Sequence, residues 1–411
     1  MERTIVGIDV GTTKICTLVG ESGADGTLRI VGVGVSPSRG IKRGVVVNVN
    51  EATEAISASI EKAERSSGYQ VARAFVSLAG THVSAVNSRG VIAVARGERG
   101  IMPEDVDRAI EAARAIAIPT DREVLHVIPR GYTVDGQDGV RDPIGMVGFR
   151  LEVETHIITG ATSSVHNLLK CIEGANVAVD ALVLDSIASG EATLTDTEKE
   201  MGVALADIGG GTTDIAIFID GSVWHTTILG VGGSHITNDV AVGLRVPAEA
   251  AERIKIDHGQ ARYQTIDPVD MIDVAGFDDG GKVRIARRDI AEIIEARAEE
   301  IFSLILQEVK RSGYDGLLPA GLVLTGGSAQ LRGLRELGRQ TLNMPVRVGG
   351  PHDLVGLVDT ISTPAYATGV GLLKWGDREG DALARRKHSR PGFSQRMGKF
   401  LRSLLPDRGG T

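Results

Sequence analysis

Short apolar runs open the chain. Thr4 to Val10 predicts a buried strand, Ile15 to Val19 a second and Leu28 to Val35 a third, with the loop Gly11-Thr12-Thr13-Lys14 joining the first two. Between Gly202 and Leu229 the same plan returns. A strand over Gly202 to Ile208 leads into the loop Gly209-Gly210-Gly211-Thr212-Thr213, then a strand over Ile215 to Ile219, an Asp220-Gly221 hairpin turn and a strand over Val223 to Leu229. So long a separation between the copies excludes a solenoid, whose period is about 20 to 50 residues, and predicts two related lobes facing each other.

Helical spacing marks Glu51 to Ser67, Pro103 to Ala117, Ser163 to Glu173 and Ile290 to Ser312, with Gly68, Gly174 and Gly313 as their C-terminal stops. Strands over Ala74 to Leu78 and Gly321 to Leu324 make the chain α/β. Between Gly80 and Gly160 short strands (Val91 to Ala95, Val124 to Ile128, Leu151 to Ile158) surround one helix, the pattern of an inserted α+β subdomain. The charged stretch from Gly376 to Ser389 has few large apolar residues and reads as a linker.

Composition sharpens this picture. A chain of 411 residues exceeds one ordinary domain of about 100 to 200 residues, so two or more lobes are expected. Its two cysteines, Cys16 and Cys171, form neither a disulfide framework nor a metal motif, which suits a reducing cytosol. No apolar run reaches the roughly 18 residues of a spanning helix, and the first strand is interrupted by Asp9, so neither a signal peptide nor a transmembrane anchor is expected. A net charge of −8 argues against a general nucleic-acid role. The exception is local: Arg385, Arg386, Lys387, Arg390, Arg396, Lys399 and Arg402 lie between Ala382 and Pro406 without one acid.

The two repeated loops carry the candidate chemistry. Gly11, Thr12, Thr13 and Lys14 put backbone amides, two hydroxyls and an ammonium on one turn, the donors needed to hold β- and γ-phosphates. Gly209, Gly210, Gly211, Thr212 and Thr213 form the second such loop, so two lobes can clamp one triphosphate. Asp9 and Asp207 end the strands beside the loops, where carboxylates can hold the waters of a Mg²⁺. Both loops lead into a strand and lack Gly-x-x-x-x-Gly-Lys, which excludes a P-loop and a dinucleotide fingerprint. A third element, Gly326-Gly327-Ser328, follows a strand and precedes a helical pattern over Leu331 to Leu342, a corner where a flat base can approach the backbone.

Together these elements resemble the actin, Hsp70 and sugar-kinase superfamily. The resemblance implies that Gly326, Gly327 and Ser328 contact adenosine, that Gly232 and Gly233 line the ribose and phosphates, and that Glu252 and Lys255 touch the adenosine. It also places Asp185, in Asp-Ser-Ile-Ala, where a Gln or Glu positions the attacking water, so Asp185 and Asp207 are the candidate catalytic residues. Further segments are similar to the FtsA family of actin-like bacterial cell-division proteins: Gly233-Ser234-His235-Ile236-Thr237-Asn238-Asp239, Ala204 to Phe218, Ile294-Glu295-Ala296-Arg297, Ser362 to Gly369, and the insertion after Leu78-Ala79-Gly80. FtsA sequences commonly read Glu-Pro-Leu-Ala at Asp185, and the shorter carboxylate here is expected to slow hydrolysis.

Membership implies a two-lobed actin-like fold with duplicated ribonuclease-H-like domains. The first lobe is expected over 1–80, 161–190 and 361–376, an inserted subdomain over 81–160, and the second lobe over 191–235 and 300–360 with a smaller subdomain over 236–299. A linker over 377–390 and an amphipathic helix over 391–406 complete the plan. The family also implies ATP with Mg²⁺, an adaptor rather than an enzyme, self-polymerisation, binding to FtsZ and to later division proteins, and a place at the cytoplasmic face of the cell membrane at the division site. At 100° per residue, Phe393, Met397, Phe400, Leu401, Leu404 and Leu405 share one stripe while Arg396, Lys399 and Arg402 lie on its flank and the opposite face, the pattern of a helix lying in anionic headgroups. A pilus-assembly adaptor and a small-molecule kinase of the same superfamily remain the alternatives.

Overall fold

The computed structural model describes residues 3–23, 27–95, 97–275 and 282–389. The amphipathic helix expected over 391–406, with Phe393, Arg396, Met397, Lys399, Phe400, Leu401, Arg402, Leu404 and Leu405, lies outside the described residues.

Two sheets of the same design form the body. In the first, strand Arg3–Val10 pairs antiparallel with Lys14–Ser22, which pairs antiparallel with Leu28–Pro37, while Arg73–Leu78 and then Ala178–Leu184 add in parallel on the other side. In the second, Val203–Ile208 pairs with Thr213–Ile219 and that with Ser222–Leu229, while Leu322–Thr325 and Val346–Val348 add in parallel. The strand order is thus repeated: an antiparallel meander of three, then two parallel strands beside the first. The duplication visible in the loops extends to five strands of each sheet, and the first sheet adds Val355–Gly356 in parallel beside Leu28–Pro37.

Each sheet buries its own helices. Ile8, Ile15 and Ile56 belong to the first core and Ile215, Phe302 and Leu324 to the second. Helix Val49–Ser67 begins where the Asn48 side chain accepts hydrogen bonds from the amides of Asn50 and Glu51, and ends at Gly68 with φ 75°; Arg287–Ser312 stops likewise at Gly313 with φ 77°. Helix Thr162–Gly174 runs through its expected stop, because Ala175 caps it and Asn176 takes the positive φ. Helix Pro103–Arg114 ends three residues before Ala117.

The insertion forms a separate four-stranded sheet, in the order Ser84–Ala93, Arg150–Ala161, Arg122–Val134 and Gln137–Val140, covered by helix Pro103–Arg114 over a small core of Ile101, Ala109, Ala113 and Leu151. It touches both lobes. His126 accepts a hydrogen bond from the Leu184 amide of the first sheet, and His156 Nε2 hydrogen-bonds with Thr226 Oγ1 of the second at 2.9 Å.

Residues 377–389, expected as linker, are helical. Helix Ala367–Ser389 continues through them because Arg378, Ala382, Leu383, Ala384 and Arg385 favour helix, and Arg3 holds the Gly376 and Asp377 carbonyls at 2.7 and 2.9 Å. Nearer its start this helix crosses Asp185–Thr193 so closely that a Cβ on Gly371 would stand 1.7 Å from the Ala188 carbonyl oxygen. That contact fixes the helix carrying Asp185.

Candidate functional site

The two repeated loops meet nose to nose. Each is closed by the same hydrogen bond, from the Gly11 amide to the Lys14 carbonyl at 3.1 Å and from the Gly209 amide to the Thr212 carbonyl at 2.9 Å. A Cβ on Gly210 would stand 2.3 Å from Thr13 Cγ2, and one on Gly211 2.7 Å from Thr12 Oγ1, so only glycines let the loops approach. Between them and the corner at Gly326 lies a cavity of about 570 Å³.

Most expected residues line that cavity. Asp9, Gly11, Thr12, Thr13 and Lys14 enter from one side, Asp207, Gly209, Gly210 and Thr212 from the other, and Gly233, Glu252, Lys255, Gly326, Gly327, Ser328 and Asp185 complete the wall. Three do not reach it. Thr213 donates its hydroxyl to the Val231 carbonyl, Gly211 packs against Thr12, and Gly232 backs the second loop, where a Cβ would meet the Gly209 carbonyl oxygen at 2.7 Å.

Glycines 232 and 233 act as a brace. The amides of Gly233 and Ser234 donate to the carbonyls of Gly209 and Gly210 at 2.9 and 2.8 Å, and Ser328 Oγ adds a bond of 3.2 Å to Gly209. Lys255 Nζ pairs with Glu252 Oε2 at 2.7 Å and donates to Thr237 Oγ1 at 2.8 Å, fixing helix Ala248–His258 to helix Gly233–Leu244. The corner after Gly326 departs from expectation: a 3₁₀ turn over Gly327–Gln330 comes first, and the helix Leu334–Leu342 starts only after Gly333 turns at φ 77°.

Carboxylates crowd the floor. Asp9, Asp185, Asp207 and Asp214 all line the cavity and all are buried. Asp214 lies directly opposite Asp207 in the strand register, on the same face of the sheet. Burial, then the charge of Asp9, pushes Asp207 up to about 6; burial and then Asp207 push Asp214 up to about 8. Asp185 is raised by burial and then by Asp214, Asp9 and Asp207, and Asp9 by burial against the opposing pull of Lys14 and Ser77. One oxygen each of Asp185 and Asp214 is buried with no hydrogen-bond partner among the described residues. Lys14 is the cation in this group, and its ammonium donates to the Ala365 carbonyl at 2.6 Å beneath the Tyr366 ring.

Among the described residues no three His, Cys, Asp or Glu side chains are placed to grip a metal ion directly. Sequence reasoning left out Asp214, Ala365 and Thr368. The repeat gave no signal for Asp214, since the first copy has Cys16 at the equivalent place, seven positions after Asp9.

Residues 204–371 match the family model described as Cell division protein FtsA, and residues 80–159 that of the SHS2 domain inserted in FtsA. The cell division protein FtsA of Pseudomonas aeruginosa is 43% identical over 93% of this chain and 91% of its own length. The chain belongs to the FtsA family. FtsA of Bacillus subtilis is 39% identical over 91% of this chain and 83% of its own, and FtsA of Escherichia coli 34% over 91% and 90%. Among solved structures, a PilM-PilN type IV pilus biogenesis complex aligns with TM-score 0.66 at 17% identity over 91% of this chain and 98% of that one. MreB 5 of Spiroplasma citri bound to AMPPNP aligns with TM-score 0.55 at 13% identity over 93% and 99%. The fold of this FtsA-family chain is therefore actin-like, and its insertion is the family's SHS2 domain.

Proposed function

We propose that this FtsA-family chain is a nucleotide-switched adaptor of cell division. ATP with Mg²⁺ occupies the cavity between the lobes, favours a closed form that assembles head to tail, and so couples nucleotide to recruitment of FtsZ and later division proteins. The carrying observation is the nose-to-nose pair of phosphate loops over four buried carboxylates. Thr12, Thr13, Lys14 and the turn Gly209–Thr212 would hold the phosphates, and Asp9 and Asp207 the waters of the divalent ion, whose charge offsets the acidic floor. Glu252, Lys255, Gly326, Gly327 and Ser328 would border the nucleoside. Asp185, at the N-terminus of the helix whose Ala188 packs on Gly371, would orient a water for slow hydrolysis; an adaptor, not a metabolic enzyme, is the expected role.

The lobe, insert and subdomain divisions given above are part of this reading. No helix among the described residues is long and apolar enough to cross a membrane. Attachment to the cytoplasmic face at the division site would rest on residues 391–406, whose six large apolar side chains are each worth roughly 1.5–3 kcal/mol when fully buried, with about 1 kcal/mol more for each Lys or Arg over anionic lipid.

The test is pelleting with anionic vesicles, with and without ATP and Mg²⁺, followed by electron microscopy. Tail-dependent binding and ATP-promoted filaments are expected. Equal pelleting after deletion of 393–405 removes the anchor, and a monomer indifferent to ATP removes the switch.

A further inference from the structure

A second hollow lies at the outer end of the second sheet, away from the phosphate loops. It is open to solvent and measures about 580 Å³. Met201, Ile219, Trp224, Leu317 and Pro319 make it apolar, and Met201 and Leu317 stand 55% and 49% exposed. Its rim is acidic, with Glu200, Asp220 and Asp315. Arg141 of the insertion answers part of this charge, bonding both Glu200 oxygens at 2.8 and 2.6 Å and standing 3.9 Å from Asp220. Three acids against two arginines, Arg141 and the Arg130 that stacks on Trp224, leave an excess of one negative charge around an apolar floor. Trp224 itself is held by the Arg130 guanidinium over its ring at 4.1 Å and by Tyr314, edge to face with ring centroids 5.5 Å apart.

The chain supplies a segment of the opposite character. Beyond Ser389, 22 residues (390 to 411) carry Phe393, Met397, Phe400, Leu401, Leu404 and Leu405 together with Arg390, Arg396, Lys399 and Arg402, and no acid before Asp407. The helix leading there leaves from the same end of the molecule as the hollow. It starts at Ala367 beside the cavity and passes Arg3, at the far end of the first strand, by Gly376. Next, Arg378 bonds Glu191 Oε1 at 2.9 Å, while Lys199 bonds Glu191 Oε2 at 3.2 Å. Lys199 belongs to helix Asp196–Met201, whose last two residues, Glu200 and Met201, form the hollow's wall. One carboxylate thus ties the exit helix to the wall of the acidic groove.

We propose that this acid-rimmed apolar groove seats residues 393–405 of the same chain when no anionic membrane is present. The apolar stripe then has two alternative resting places, beside Trp224 or in lipid, and its basic flank is matched by the acidic rim in one and by anionic headgroups in the other. Groove occupancy holds back lipid binding: a tail docked about 90% of the time lowers apparent vesicle affinity about tenfold. The proposal rests on the tail being amphipathic and is independent of the nucleotide reading.

Trp224 and Trp375 are the two tryptophans of the chain, so the Trp375→Phe protein reports on the groove alone. Its emission is recorded in buffer, with phosphatidylcholine vesicles and with vesicles containing phosphatidylglycerol, with pelleting in parallel. Expected are a shift on adding phosphatidylglycerol vesicles, the same shifted emission without lipid when Phe400→Glu and Leu401→Glu are introduced, and about tenfold tighter vesicle binding by the exposed groove variant Met201→Glu/Leu317→Glu. Identical Trp224 emission in the parent and the tail variant overturns the proposal, even if the parent pellets with vesicles and the membrane reading stands. A tail-dependent emission difference in a protein that does not pellet keeps the groove and overturns the membrane reading instead. A shift that grows with protein concentration assigns the tail to a second copy and overturns seating within one chain.

Discussion

Thr368 donates its hydroxyl to Asp207 Oδ2 at 3.1 Å, across 161 positions of sequence. Three residues earlier the Ala365 carbonyl receives the Lys14 ammonium. The turn and first residue or two of helix Ala367–Ser389 therefore touch both phosphate loops, one through a hydroxyl and one through a carbonyl. Thr368→Val removes the bond that favours ionised Asp207. Nucleotide affinity near neutral pH is expected to fall by a factor of about 3 to 10, as for the loss of about 1 kcal/mol from one hydrogen bond, with partial recovery as pH rises. Calorimetric titration with ATP and Mg²⁺ over a pH series measures it; unchanged affinity at every pH would separate Thr368 from the site.

Gly210→Ala places a methyl 2.3 Å from Thr13 Cγ2. Because the clash lies between the loops and not within either lobe, the lobes are expected to keep their thermal stability while the loops part. Displacement on the scale of 1 Å costs on the order of 100-fold in a positioned site. Nucleotide affinity should drop by about that factor while the circular dichroism spectrum is preserved. An unfolded Gly210→Ala chain would contradict the placement of the loops at the lobe boundary.

The carboxylate floor sets a pH dependence for the nucleotide-free protein. Asp207 and Asp214 titrate at about 6 and about 8 in the fold, against an ordinary 3.8, because burial disfavours their charge. A carboxyl raised on folding binds more protons in the folded chain than in the unfolded one, so stability is greatest in acid and declines as pH rises from about 4 through the folded values. For Asp207 alone the loss approaches about 3 kcal/mol, at about 1.4 kcal/mol for each tenfold change in proton concentration. Denaturant titrations near pH 5 and pH 8.5 should show this fall, smaller with Asp214→Asn, and Mg²⁺ with ATP should flatten it. A nucleotide-free chain that gains stability over the same range excludes the arrangement.

Asp185 tests the slow hydrolysis. It lines the cavity, and one of its oxygens is buried with no hydrogen-bond partner among the described residues. Asp185→Glu is expected to speed phosphate release by about tenfold or more, since a reach of about 1 Å can be worth on the order of 100-fold, and Asp185→Asn to abolish it with ATP affinity retained. Equal rates for all three proteins would show that another group orients the water.

Much of this architecture could be read from the residues in order, and the reason is local. A strand buried on both faces is an apolar run, and a tight turn between antiparallel strands needs glycine, so Thr4 to Val10, Gly202 to Ile208 and their loops announce themselves. Helix Asp185–Thr193 did not, because eight of its nine residues are buried and no polar face marks a period. Helix 377–389 was missed for the opposite reason: it has few large apolar residues, and its start depends on Arg3 holding two carbonyls from 373 and 374 positions away. By itself the sequence determined the duplication, the glycine- and threonine-rich make-up of each loop and the family. Only the tertiary structure decided how closely the loops touch, with Gly210 against Thr13, that Asp214 joins Asp9, Asp185 and Asp207, and that Lys14 is held by Ala365. Hydrophobic pattern records which side of an element is buried, whereas these contacts depend on how two separately built sheets are brought together, and that is fixed by the helices and glycines packed between them.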